Sequence, residues 1–280
     1  MTAANHQFAF NHATFGWHLP FVDFVSIVAE TGASGVGVWS DRLGGLSPEE
    51  ARRRIENAGL RITSLNRGGF FVAGSLDGRQ RAINETIRQI DIAWRMGAEV
   101  LLVVPGGMSD EVRDIKRARV QVREGLEAVA THASAAGIRL GIEPFHPALT
   151  ASRGVVNTLD SALDLCDALG SPLGVILDVY HLWWDPNVFA AIARAGDRIL
   201  GHHLCDWKLH PVDVLTDRAI MGDGVADVAG ITRAARQAGY DGLLEIEIFS
   251  HDDLWRRPAR DVAKLCLERA LGCLPDMERQ

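Results

Sequence analysis

Eight short apolar runs punctuate this chain, and in the stretches between them apolar residues return every three or four positions. The short runs, at 8–11, 35–39, 61–65, 100–104, 139–143, 174–178, 199–203 and 244–248, read as parallel strands buried on both faces. The periodic stretches, at 21–30, 48–58, 79–96, 111–136, 159–169, 188–195, 228–238 and 259–271, read as helices with one apolar face. Glycine punctuates the helix-to-strand junctions, as at Gly97 and Gly137, where a left-handed residue ends a helix without a steric penalty. Ser47-Pro48-Glu49-Glu50 is a capping box with proline at the first helical position. Eight strand-then-helix units with no linker and no low-complexity segment predict a single closed (β/α)8 TIM barrel domain over residues 1–280. An open, doubly wound sheet is the alternative, but the chain carries neither a GxGxxG nor a P-loop to support it.

A barrel brings its strand C-termini to one mouth, so the polar residues at strand ends carry the functional question. The fifth to eighth runs each end on a potential ligand: Glu143, Asp178, His203 and Glu247. A polar group at the end of a buried strand is costly unless something uses it. Four independent salt bridges or caps would also account for these residues, but four in consecutive units favour one joint site. Three carboxylates and one imidazole suit a single divalent cation of the Mn/Mg/Co/Zn group. Glu245 has the same strand parity as Glu247 and is expected deeper in the barrel, paired with a cation.

The runs Ile142-Glu143-Pro144-Phe145-His146-Pro147, Leu177-Asp178-Val179-Tyr180-His181, His203-Leu204-Cys205-Asp206 and Glu247-Ile248-Phe249-Ser250 resemble the sugar isomerase/epimerase family with the xylose-isomerase-like barrel. The resemblance spans the chain in motif order and spacing. It implies that Glu143, Asp178, His203 and Glu247 hold one Mn²⁺-like ion, with Mg²⁺, Co²⁺ or Zn²⁺ as alternatives. It also implies that Glu143 and Glu247 act as the acid/base pair. Such chemistry removes a proton α to a carbonyl and needs charge stabilisation for the resulting enediolate. Return of the proton to the opposite face epimerises, and return to the neighbouring carbon isomerises. The matching histidine of epimerase-like relatives contacts substrate, which nominates His181. Arg218 loosely matches the family's loop after strand seven and is a candidate for a substrate oxygen. His146 and Asp206 are further candidates, the latter also as a group that orients His203.

Five of the seven tryptophans (Trp17, Trp39, Trp183, Trp184 and Trp207) fall at or just after predicted strand ends. Trp17, Trp39 and Trp183 are accordingly expected to wall the pocket, presenting aromatic faces to the C–H faces of a polyol. Asn11, His12, Asn66 and Arg67 also lie near strand ends and are weaker candidates for binding hydroxyls.

Composition narrows the partners. A net charge of −7 lacks the basic excess of a general nucleic-acid binder, and no apolar run approaches a membrane span. Cys166, Cys205, Cys266 and Cys273 show no CxxC spacing and read as reduced, packed thiols, which fits a cytoplasmic protein. The expected partner is a small sugar or polyol; family similarity adds a homodimer or homotetramer.

The leading expectation is a divalent-metal-dependent isomerase or epimerase of a sugar or sugar phosphate. Its alternative is a metal-dependent dehydratase of a cyclic keto-polyol, of the keto-inositol or dehydroshikimate type. A repair nuclease of the same superfamily is disfavoured: its histidine-bearing motifs are replaced here by Val104-Pro105-Gly106 and Asp217-Arg218-Ala219. A non-catalytic binding barrel is disfavoured because all four candidate ligands are present.

Overall fold

The computed structural model describes residues 3–274; the first two and last six positions of the expected domain lie outside the described residues. Eight parallel strands close in chain order into one barrel, β8 pairing with β1. They are β1 (Phe8–Asn11), β2 (Gly35–Trp39), β3 (Arg61–Gly69), β4 (Val100–Val104), β5 (Arg139–Ile142), β6 (Leu173–Asp178), β7 (Ile199–Leu204) and β8 (Leu244–Ile246). The outer ring comprises α1 (Phe21–Thr31), α2 (Pro48–Asn57), α3 (Leu76–Met96), α4 (Ile115–Ala136) and α5 (Leu159–Leu169). It continues with α6 (Val179–Leu182), α7 (Val188–Ala195), α8 (Val228–Gln237) and α9 (Ala259–Cys273).

Local chemistry sets the element ends. Ser47 and Glu50 form the expected reciprocal capping box on α2. Ser75 caps α3, whose first residue lies three before the expected start, and Asp114 caps α4, which begins later than expected, after a turn in which Ser109 and Val112 bridge. The one helix that the periodicity does not predict is α6, a single turn whose N-cap is Asp178 itself. It is too short for its periodicity to register.

Most buried apolar side chains form a core between the sheet and the helices. A smaller apolar cluster, including Val100, Leu102, Val104 and Ile176, takes the alternate strand positions and fills part of the barrel interior. All four cysteines are free thiols, three of them buried. Among the described residues no helix is long and apolar enough to cross a membrane.

Candidate active site

The sheet ladder itself aims the two glutamates. Glu143 and Glu247 each lie one residue past their strands, and their backbone N–H groups still donate to Val103 and Leu204. Their side chains therefore keep the inward parity of β5 and β8. Asp178 divides its carboxylate: Oδ1 accepts the Tyr180 N–H at 2.7 Å to cap α6, and Oδ2 turns inward. His203 points into the barrel, while neighbouring His202 points outward to the Leu177 carbonyl and the Thr232 hydroxyl.

The four expected ligands thus meet. One candidate ligand atom from each of Glu143, Asp178, His203 and Glu247 lies within 4.8 Å of all the others, and all four residues are buried. His203 Nδ1 stands 3.5 Å from Glu143 Oε1 and 3.6 Å from Glu247 Oε2. Glu143 Oε1 and both His203 nitrogens nevertheless lack a hydrogen-bond partner. Buried polar atoms are rarely left so. Converging oxygens with one imidazole, desolvated and underused, are a donor set that fits a divalent cation.

Arg218 supplies the opposing charge. Its Nη1 lies 3.3 Å from Glu247 Oε2 and 3.4 Å from Asp178 Oδ2, and its guanidinium is clasped between the Tyr180 and Phe249 rings at 4.3 and 4.6 Å. Two isolated bridges, Asp206 to Ala219 and Asp217 to Ser250, hold the loop that carries it.

The cluster's acids are pushed apart. Burial raises the carboxyls of Glu143 and of Asp178, the latter to about 7. Burial opposes ionisation of Glu247 as well, but His203 and Arg218 outweigh it and hold that carboxyl below its usual range. Burial also works against a charged His203, yet Glu245 and Glu247 keep it well above the usual histidine range.

Above the cluster opens a cavity of about 370 Å³, whose walls include Glu143, Glu247, Arg218, Trp17 and Trp39. One wall residue has no counterpart in the sequence pattern. Trp255, in the loop after β8, packs 5.9 Å from Trp17 and completes the aromatic wall. Arg67 and Arg153 line the same cavity, and neither forms an ion pair among the described residues. Arg67 lies over Trp39 and Phe70 at 4.9 and 5.0 Å; burial and the charge of Arg153 both depress its pKa.

Other expected contacts lie off this cavity. His146 stacks on Trp207 at 4.2 Å, and Trp183 packs on the same ring at 5.7 Å, so these groups turn toward one another. His181 is buried beside the cluster, Nε2 3.7 Å from Asp178 Oδ2, with its ring against Phe145. Asp206 departs from expectation: its carboxylate accepts backbone N–H groups from Trp207, Gly222, Gly224 and Ala226. It pins the loop after β7, with no hydrogen bond to His203 among the described residues.

A closed eight-stranded barrel with these ligands at its mouth defines the class, and the chain belongs to the xylose isomerase-like TIM barrel family, whose pattern matches residues 25–268. A 3-dehydroshikimate dehydratase from Pseudomonas putida is 29% identical over 247 residues, covering 84% of this chain and 37% of the relative. The chain thus spans little more than a third of the length of the curated relatives it matches. A crystal structure of a Sinorhizobium meliloti 1021 protein is similar at 44% identity and a TM-score of 0.93, covering 96% of this chain and 98% of that one. A xylose isomerase-like TIM barrel/4-hydroxyphenylpyruvate dioxygenase fusion protein is similar at 26% identity and a TM-score of 0.80, over 96% of this chain and 42% of that one.

Proposed function

We propose that this barrel is a divalent-cation-dependent dehydratase of a carboxylated cyclic α-hydroxyketone, of the 3-dehydroshikimate type. The observation that carries the reading is the unpaired pair Arg67 and Arg153 in the cavity shared with Glu143 and Glu247. Two guanidiniums facing one cavity, Arg67 exposed and Arg153 partly buried, neither with an ion-pair partner among the described residues, call for an anion, and a carboxylate accepts them in bidentate fashion. A neutral ketose makes no use of them. The similarity to a dehydratase of a keto acid supports the same substrate class.

Glu247, held ionised, takes the proton α to the ketone. The electron pair moves to the carbonyl oxygen; as the carbonyl re-forms, the β-hydroxyl departs. Glu143, whose carboxyl burial pushes up, is the group placed to pass a proton to that hydroxyl, which leaves as water. Loss of one more ring proton by tautomerisation then aromatises a dehydroshikimate-type ring to a catechol carboxylate. Glu143, Asp178, His203 and Glu247 would hold the divalent cation, and its chemistry there would be electrostatic stabilisation of the enolate. Arg67 and Arg153 hold the carboxylate, and Trp17, Trp39 and Trp255 cover the ring and exclude water.

Isomerisation or epimerisation shares the first proton transfer and differs only in the absence of a leaving β-hydroxyl. One panel separates the readings: 3-dehydroshikimate, keto-inositols, ketoses and ketose phosphates, each with Mn²⁺, followed by proton NMR and ultraviolet absorbance. Growth of an aromatic or enone band with the carboxylated ketone supports the proposal. Turnover of neutral ketoses or ketose phosphates with no activity on carboxylated rings refutes it in favour of the isomerase.

A further inference from the structure

We infer that Glu245 is a positioning residue that fixes which nitrogen of His203 faces the metal cluster. It rests on the proposed function only in taking that cluster as a cation site. Glu245 is buried on the inward face of β8, directly across the ladder from His203. His203 turns Nδ1 toward Glu143 and Glu247, and Nε2 faces Glu245 Oε1 at 3.7 Å. The two imidazole nitrogens thus divide their roles, Nδ1 offering a lone pair to the cluster and Nε2 carrying the proton toward a carboxylate. A carboxylate behind a metal-binding imidazole sets its tautomer and ring orientation.

Three other strands build the seat that holds this carboxylate. Asn11 Nδ2, from β1, donates to Glu245 Oε1 at 2.7 Å, and the Thr63 hydroxyl, from β3, donates to Oε2. Gly37, on β2, is the third support. A Cβ there would overlap Glu245 Oε1 and stand 2.8 Å from Asn11 Nδ2. Gly37 lies at a register shift in the β2–β3 ladder but has no positive φ, so the missing side chain answers to space. Asn11 Oδ1 also accepts the Trp39 indole N–H at 2.7 Å, so one anchor sets both the metal-facing imidazole and a wall of the substrate cavity. Glu245 does not itself line that cavity; it borders another, of about 480 Å³, that runs toward the strand N-termini. The proposed reaction assigns it no proton to carry.

The test is metal binding by full-length protein stripped with chelator. Mn²⁺ titrations followed by electron paramagnetic resonance would compare wild type, Glu245→Gln, Gly37→Ala and His203→Ala. Nitrogen-15 histidine spectra of Zn²⁺-loaded wild type would identify the nitrogen that bears the proton. The expected result is proton-bearing Nε2 on His203, and Mn²⁺ affinity about 10- to 100-fold weaker in both Glu245→Gln and Gly37→Ala. Zn²⁺ on Nε2 overturns the inference and requires no variant to fold. So does a Glu245→Gln protein that melts earlier yet keeps wild-type Mn²⁺ affinity, the mark of a purely structural carboxylate. Wild type that binds no Mn²⁺ sinks the cation site and this inference with it; wild-type binding lost only in His203→Ala sinks this inference alone.

Discussion

Replacing Arg218 by methionine keeps an unbranched stem between the Tyr180 and Phe249 rings and removes the charge between Asp178 and Glu247. Breaking a buried ion pair from one side costs about 3–5 kcal/mol, because the surviving charge stays desolvated. Two features place this site near the lower figure. Asp178 already titrates at about 7, so it can take up a proton in place of its lost partner, and His203 still faces Glu247. For a chain of this size, ~3 kcal/mol lowers the melting temperature by roughly 6 °C. Calorimetry of chelator-treated wild type and Arg218→Met at one pH near 7 measures that gap. Saturating Mn²⁺ should then narrow it. In the variant the cation supplies the missing positive charge, whereas in wild type it must share the cluster with a guanidinium. A metal at a hundred times its Kd adds about 2.7 kcal/mol in any case, so the extra rise in the variant is the diagnostic part. Equal melting temperatures without metal, or a gap that Mn²⁺ leaves unchanged, would refute the electrostatic account of the cluster.

Between about pH 7 and about pH 8 the metal-free protein should lose stability as pH rises. Asp178, Glu143 and His203 all have raised folded-state pKa values, so the stability each confers is complete below its unfolded pKa and lost as pH climbs through the folded one. Glu247 and the buried histidines His12, His146, His181 and His202 have the opposite sign, but their depressed pKa values act below that window; a flat or rising melting curve across it would contradict the assignment. Glu247→Gln should lower turnover by about 10²–10⁴-fold while the folded protein still takes up some Mn²⁺; wild-type rates would remove it from catalysis. Arg67→Met should raise KM for a carboxylated ketone by roughly 10- to 100-fold, the loss of one charged hydrogen-bonded partner, and leave any neutral ketose unaffected. Equal effects on both substrates would mean that Arg67 supports the pocket's shape and holds no carboxylate.

The four converging ligands were legible because strand parity is a rigid rule. In a parallel barrel, alternate residues face inward, and a strand end can project only toward the mouth. The same rule places Glu245 below Glu247, and in the structure it turns His203 inward and His202 outward. Beyond the last ladder bond parity lapses, and the aromatic side chains there divide. Trp17 and Trp39 reach the cavity, but Trp183 and His146 turn onto Trp207, because a loop side chain packs wherever the chain's own curvature leaves apolar surface.

Arg67 shows what a short strand extension changes. The apolar run ends at Leu65, yet β3 continues pairing with β4 through Gly69, past a register shift between Asn66 and Gly68. The shift breaks the alternation that would have told inward from outward, so Asn66 and Arg67 both line the cavity although they are consecutive. Arg153 comes from elsewhere altogether, a loop pinned when Gly106 donates to the Arg153 carbonyl. No local pattern links the two arginines, and only the closed barrel shows that neither has a carboxylate partner of its own among the described residues. The part of the site that bears on substrate class is therefore the part built from irregular backbone, whereas the part that bears on the cation is built from strand ends. That division explains why the sequence pattern leaves isomerisation and dehydration undivided: in the proposed reading both use the strand-end residues, and Arg67 on irregular β3 and Arg153 on its loop select the substrate.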